Sequence, residues 1–169
     1  MLNDIEIEVS QNSKLLEIIK ARGLEVPHLC FNSNYRPDGN CRSCVVEIEG
    51  ERALAPSCCR NPETGMKVYT HSKRAKSSRK MVVEMLNSDT RVKKNTDKKN
   101  ELKNWIEKLD INIGRLPENI DNRVDTSNPA IAVNYEECIK CTRCIRACRE
   151  AQANDVIGFA FRGKESRIV

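Results

Sequence analysis

The spacing of apolar residues switches between strand-like and helical along the chain. Ile5-Glu6-Ile7-Glu8-Val9 alternates strictly, the period of a strand with one buried face. A helix is predicted over 14–22, with Leu15, Leu16, Ile18 and Ile19 on its apolar side. Asn12 or Ser13 can cap its start, and Gly23 suits a left-handed end. Pro27 forces an extended approach to Cys30, and Asn32, Asn34, Pro37, Gly39 and Asn40 make 30–44 a loop. Val45-Val46-Glu47-Ile48-Glu49 resumes as a strand, Gly50-Glu51 turns it, and 66–70 reads as a last short strand.

Residues 72–87 are helical in pattern, with Met81, Val82, Met85 and Leu86 on one side. A second helix is predicted over 97–109, following Thr96, with Leu102, Trp105, Ile106 and Leu109 at three- and four-residue spacings. Residues 112–128, with Gly114 and Pro117, are polar and read as a connector. The expected architecture is therefore α+β, in three parts: 1–71, 72–128 and 129–169.

Of 169 residues, 39% are apolar and only 4% aromatic, so two small domains pinned by inorganic cores suit the chain better than one large core. No basic-then-apolar leader opens it, since Asp4, Glu6 and Glu8 fall among the first apolar residues. No stretch approaches the roughly 20 apolar residues of a spanning helix. A cytoplasmic protein without membrane insertion is expected. In a reducing compartment its nine cysteines point to metal rather than disulfides, and an odd count leaves one thiol over in any all-disulfide scheme. The net charge of +5 is local: residues 73–103 carry +7 and the rest about −2.

Cys30, Cys41, Cys44 and Cys58 give C-x10-C-x2-C-x13-C. Cluster irons want soft thiolates, and a long loop with a two-residue step can wrap a small inorganic core. Gly39 lets backbone N–H groups approach bridging sulfides, and Arg42 and Arg60 can offset cluster charge. The last ligand lies in Ser57-Cys58-Cys59, where chemistry alone allows either neighbour. A zinc site would ordinarily show two short C-x2-C pairs, whereas one pair and two distant singles stand here.

Cys138, Cys141, Cys144 and Cys148 give C-x2-C-x2-C-x3-C, the run that cradles a cubane 4Fe–4S cluster. The three-residue steps aim three thiolates at one cluster, while the last cysteine, a helical turn on, tends to point elsewhere. Cys148 is the obvious fourth ligand. A ligand from a partner chain, a non-cysteine ligand and a three-iron cluster stay open. His71 is a remote candidate for that place, and His28 reads as packing beside Cys30.

Val26-Pro27-His28-Leu29-Cys30, Gly39-Asn40-Cys41-Arg42-Ser43-Cys44, Pro56-Ser57-Cys58 and Gly65-Met66 together resemble one family. It is the 2Fe–2S domain of the complex I large iron–sulfur subunit, the diaphorase-side subunit of NAD-reducing hydrogenases, NAD-linked formate dehydrogenase α-subunits and iron-only hydrogenases. Residues 138–150, with Gly158-Phe159 and Arg162-Gly163, resemble the start of that family's C-terminal cluster domain. The resemblance implies a β-grasp 2Fe–2S ferredoxin domain, a helical linker and a partial 4Fe–4S ferredoxin-like domain. It also implies a 2Fe–2S cluster with Cys30 and Cys41 on one iron and Cys44 and Cys58 on the other. Spacing to Gly65-Met66 favours Cys58 over Cys59. The first family strand is shortened to Met1-Leu2, ahead of the Asn3-Asp4 turn. The family's His-and-three-Cys site has no counterpart, because residues 88–104 hold neither His nor Cys; the lysines there read as solvated surface.

No glycine-rich phosphate loop and no nucleophile with a plausible base stands in the sequence, so the chain is expected to have no catalytic site of its own. The leading reading is a relay subunit for electrons. The resemblance implies a flavin subunit handling NAD(P)H on one side and a hydrogenase or formate dehydrogenase on the other, in an electron-bifurcating assembly among the alternatives. A zinc-binding nucleic-acid module is the rival from another class, using the basic 73–103 segment, which lacks aromatics for base stacking. A free soluble ferredoxin is the third reading.

Overall fold

The computed structural model describes residues 1–9, 12–91 and 100–169. By its internal contacts the chain forms two compact units, one of residues 1–31 and 37–82, the other of 32–36 and 83–169.

The first unit is built on a helix, α1 (Leu15–Ala21), and a three-stranded antiparallel sheet of order β2-β1-β3. β1 (Val45–Ile48) pairs with β2 (Ala55–Pro56), Val46 opposite Ala55, and with β3 (Val68–Tyr69), Ile48 opposite Val68. Leu2 adds a parallel bridge to Val68. The apolar face expected of the helix is the one it buries: Leu15, Leu16, Ile18 and Ile19 pack with Val26, Val46, Ile48 and Val68. Leu16, Ile19 and Val46 are fully buried, each worth about 1.5–3 kcal/mol against exposure.

Two local expectations fail. Residues 5–9 form no strand: Ile5 pairs only with Leu2, across a turn in which Asn3 and Asp4 both have positive φ. Ile7 alone leans on the core, while Ile5 is 65% exposed. Nor do Asn12 or Ser13 cap α1. Lys14 holds the cap position, and Glu17 reaches back to accept its backbone N–H at 2.8 Å. The far end is as expected. Gly23 has φ +70°, its N–H reaching Lys20 O and that of Leu24 reaching Ile19 O.

α2 (Lys73–Ser88) lies close to its expected place, but its buried stripe differs. Ala75, Arg79 and Val83, four residues apart, are buried, whereas Met81 and Met85 are exposed. Hydropathy alone could not put a guanidinium on the inner face. Arg79 is there because it donates to the carbonyls of Ala75, at 3.2 Å, and Thr70.

In the second unit α3 (Glu101–Lys108) buries Leu102 and Ile106 and is capped by Asn100, whose side chain accepts from Lys103 N at 3.0 Å. The expected start at Asp97, with Thr96 and the four lysines of 93–99, lies outside the described residues. Two hairpins were not expected: β4 (Val124–Asp125) with β5 (Val133–Asn134), and β6 (Phe159–Ala160) with β7 (Arg167–Ile168). The first falls partly in the stretch read as connector. Between them run a short 3-10 turn, Tyr135–Glu137, then α4 (Arg143–Arg146) and a π-helical turn, Ala147–Ala151. Tyr135 ties the unit together, its hydroxyl donating to Ile168 O at 2.6 Å. No helix among the described residues is long and apolar enough to cross a membrane. The observed class is α+β.

Candidate metal centres

The first cysteine group is assembled by three pieces of backbone. Residues after Pro27 bring in Cys30, whose neighbour Leu29 donates its N–H to Ser43 Oγ at 3.2 Å. The loop before β1 supplies Cys41 and Cys44, with Arg42 between them in a left-handed conformation, φ +55°. The third piece, 56–60, is a tight turn in which Cys59 N and Arg60 N both reach Pro56 O. That turn is fixed to the rest at two points. Ser57 donates through both N–H and Oγ to Cys44 O, at 3.2 and 2.7 Å. The free N–H groups of the first turn of α1 do the remainder, Leu15 to Arg60 O and Leu16 to Ser57 O.

The four expected thiols meet. Cys30 hydrogen-bonds with Cys41 and Cys58, and Cys44 with Cys58. The two outer links of that series, Cys30–Cys41 and Cys44–Cys58, fall on the two pairs that the resemblance assigns to separate irons. Cys30, Cys44 and Cys58 are buried, and Cys41 is half-buried. Cys59 stands beside them, Sγ 3.6 Å from Cys58 Sγ and half-buried. Among the described residues no three His, Cys, Asp or Glu side chains converge as a site for a single ion.

Electrostatics follow from this contact. The hydrogen bond with Cys58 draws the Cys44 thiol down to about 7, against the cost of its burial. Cys58 is pushed far up by its hydrogen bonds with Cys30 and Cys44 and by burial. Cys41 is also raised, first by Cys30 and then by burial, with Ser43 Oγ at 3.0 Å working the other way. Four thiols packed this closely out of water cannot all ionise unless cations come between them. The donor set therefore fits a cationic iron–sulfide core, and Gly39 leaves the approach open: φ is +65°, and a Cβ there would lie 3.0 Å from Cys59 Sγ.

Of the two arginines expected to offset charge, Arg60 is engaged by Glu51 at 2.8 Å and Glu63 at 3.1 Å, and Arg42 is exposed. A residue not expected in this role, buried Arg79, interacts with Cys44. His28 packs, Nδ1 bonding Val26 O at 2.9 Å and the ring edge-on to Phe31. His71 is held by Thr70 Oγ1 at 2.7 Å. Ser43 and Ser57 were within the sequence motifs, but nothing in their type announced which atom each would bind.

In the second group, Cys138 follows the Tyr135–Glu137 turn, whose start is capped by Asn134. Lys140 (φ +53°) and Thr142 (φ +64°) then bend the backbone left-handed on either side of Cys141. Non-glycine residues adopt that region at a cost, and two in three positions mark a curl that the surrounding structure enforces. α4 carries Cys144, and the π-helical turn carries Cys148. Cys138 and Cys148 both act electrostatically on Cys144, as Cys138 and Cys144 do on Cys141, and loss of water around each sulfur raises both thiols first. Cys144 is exposed. Cys148 is buried and accepts the Val156 N–H at 3.3 Å. Beside it Arg146 is buried, stacked on Tyr35 with Cζ 4.9 Å from the ring centre, and donates to Arg36 O at 3.0 Å.

Residues 1–73 match the 2Fe-2S iron-sulfur cluster binding domain, and 128–169 match the ferredoxin-like domain of NADH-quinone oxidoreductase subunit 3. An NADH-quinone oxidoreductase subunit of Rhizobium meliloti is 27% identical over 173 residues, covering 99% of this chain and 20% of the relative. The mitochondrial 78 kDa subunit of NADH-ubiquinone oxidoreductase from Candida albicans is 27% identical, covering 96% of this chain and 24% of the relative. The chain thus spans about a quarter or less of these relatives' length. A chain in the crystal structure of an NAD+-reducing [NiFe]-hydrogenase, in the H2-reduced state, superposes with a TM-score of 0.85 at 26% identity, over 99% of this chain and 72% of that one. The chain joins a segment matching a 2Fe–2S cluster binding domain to one matching a ferredoxin-like domain of NADH-quinone oxidoreductase subunit 3, and over nearly its whole length it is similar to subunits of NADH-quinone oxidoreductases and to a chain of an NAD+-reducing hydrogenase.

Proposed function

We propose that this chain is a relay for electrons, with one cluster in each cysteine group. Cys30, Cys41, Cys44 and Cys58 hold a 2Fe–2S cluster, and Cys138, Cys141, Cys144 and Cys148 hold a 4Fe–4S cluster. The domains divide as 1–71, 72–128 and 129–169. When bound, each cluster supplies reversible one-electron chemistry. The chain's own part is to bind, shield and tune. Buried Cys30, Cys44 and Cys58 keep water from three of the four 2Fe–2S ligands. Ser43 Oγ and the Val156 N–H hydrogen-bond the sulfurs of Cys41 and Cys148, which spreads negative charge and favours the reduced form.

One observation carries the reading: four thiols drawn from residues 30 to 58 meet in one linked series, Cys41–Cys30–Cys58–Cys44, inside a segment that matches a 2Fe–2S domain. The chain's partners on this reading are a flavin subunit oxidising NAD(P)H and a hydrogenase or formate dehydrogenase catalytic subunit, in a cytoplasmic and electron-bifurcating complex. The similarity to subunits of NADH-quinone oxidoreductases and of an NAD+-reducing hydrogenase supports the coarser part, a place in an NAD(H)-linked multi-subunit complex. Native purification with identification of the co-eluting chains is the test. A flavoprotein and a hydrogenase or formate dehydrogenase subunit in fixed ratio are expected. Elution as a single chain, reducible by a detached reductase, would overturn the complex.

A further inference from the structure

Five cysteines, not four, stand at the first centre, and the fifth has no task in the reading above. Cys59 Sγ lies 3.6 Å from Cys58 Sγ. Both side chains leave one tight turn, closed by Cys59 N–H and Arg60 N–H on Pro56 O at 3.0 and 3.2 Å. The turn is clamped to α1 and to Cys44 O on either side of the pair, so a small shift within it exchanges one sulfur for the other without moving its anchors. Cys59 is only half-buried, and it faces Gly39, where an added Cβ would lie 3.0 Å from its sulfur.

We propose that Cys59 is a reserve ligand of the 2Fe–2S cluster, taking the iron position of Cys58 when that sulfur is lost. The inference rests on the iron–sulfur reading. In the exchange, the bond from iron to the Cys58 sulfur breaks and that thiolate takes a proton from solvent, while the Cys59 thiol gives its proton to solvent and its sulfur bonds the iron; no electron moves. Both ligands are thiolates, so the cluster keeps its charge and type, while the altered geometry changes its spectrum.

The test uses the full chain, prepared anaerobically as wild type, Cys58→Ala, Cys59→Ala and the double variant. Alanine is used because serine could itself ligate. Iron, acid-labile sulfide and low-temperature EPR of the reduced protein are measured, with the 4Fe–4S signal as the sign of an intact chain. Cysteine alkylation read by mass spectrometry gives an independent result. Cys59→Ala should leave the 2Fe–2S signal unchanged. Cys58→Ala should keep a 2Fe–2S signal with shifted g-values, and the double variant should have none. Cys59 should be alkylated in loaded wild type and protected in loaded Cys58→Ala. A Cys58→Ala chain as empty as the double variant, or Cys59 alkylated equally in both, overturns the reserve role. Loss of the signal in Cys59→Ala alone makes Cys59 the ordinary ligand and overturns it too. A wild-type chain without labile sulfide overturns the iron–sulfur reading itself, and this inference with it.

Discussion

The Leu16 N–H donates to the carbonyl of Ser57 at 3.0 Å, so the start of α1 is fastened to the residue that precedes Cys58. Helix and ligand turn therefore stand or fall together. Leu16 is fully buried, and Leu16→Ala should cost about 2–5 kcal/mol. Chemical denaturation would show it, and 2Fe–2S occupancy should drop alongside the midpoint. An unchanged midpoint would mean that α1 does not support the turn.

Cys44→Ser should abolish the 2Fe–2S signal, while Cys59→Ser should spare it. Cys44 hydrogen-bonds with Cys58 at the buried centre, whereas Cys59 touches the group from its half-buried side. EPR of the two reduced variants decides, and the opposite pair of results would show that the neighbour was wrongly chosen.

Gly39→Ala meets two costs: a left-handed backbone, about 1–2 kcal/mol for a residue with a Cβ, and an approach of 3.0 Å to Cys59 Sγ. Adding Cys59→Ala should recover the second cost and leave the first. Thermal melts of the single and double variants separate them. Identical melting points would show that Cys59 yields without strain.

Arg79 is a buried cation with no carboxylate partner among the described residues, and it donates from Nε to Ala75 O and from Nη2 to Thr70 O. Arg79→Met leaves the Thr70 carbonyl unsatisfied and should cost about 1–3 kcal/mol. It also removes a positive charge that interacts with Cys44, so the 2Fe–2S potential should become more negative than in Arg79→Lys. Redox titration of the two variants checks this, and equal potentials would make Arg79 a purely structural anchor.

Burial, with Lys76 and Arg79 nearby, holds the His71 imidazole below its ordinary range. The unfolded chain therefore takes up this proton first. Stability from this source is complete above about 6.5, the unperturbed value, and is lost as pH falls. Between pH 7 and 5 the wild type should lose more stability than His71→Asn, by denaturation midpoint. Parallel pH curves would remove His71 from the balance.

Much of this could be read from residue order, because the strongest signals were local. Leu15, Leu16, Ile18 and Ile19 face the core as their spacing demands, and Gly23 ends the helix left-handed. What could not be read depended on distant partners. The alternation of residues 5–9 is genuine, but a strand exists only where a neighbour offers its ladder. Met81 and Met85 are apolar yet exposed, while Arg79 is charged yet buried, because two carbonyls wait for it. The hairpins at 124–134 and 159–168 have two-residue strands, too short to leave a period. At the first centre spacing picks out the thiols as candidates, and the fold draws them into one series, Cys41–Cys30–Cys58–Cys44, an order that residue spacing does not contain.

Quantifying iron and acid-labile sulfide in the anaerobically purified chain, together with EPR after dithionite, puts the two-cluster account to its hardest trial. The account predicts about six iron and six sulfide per chain and two separable reduced signals, one 2Fe–2S and one 4Fe–4S. A colourless protein carrying zinc and no labile sulfide would contradict it.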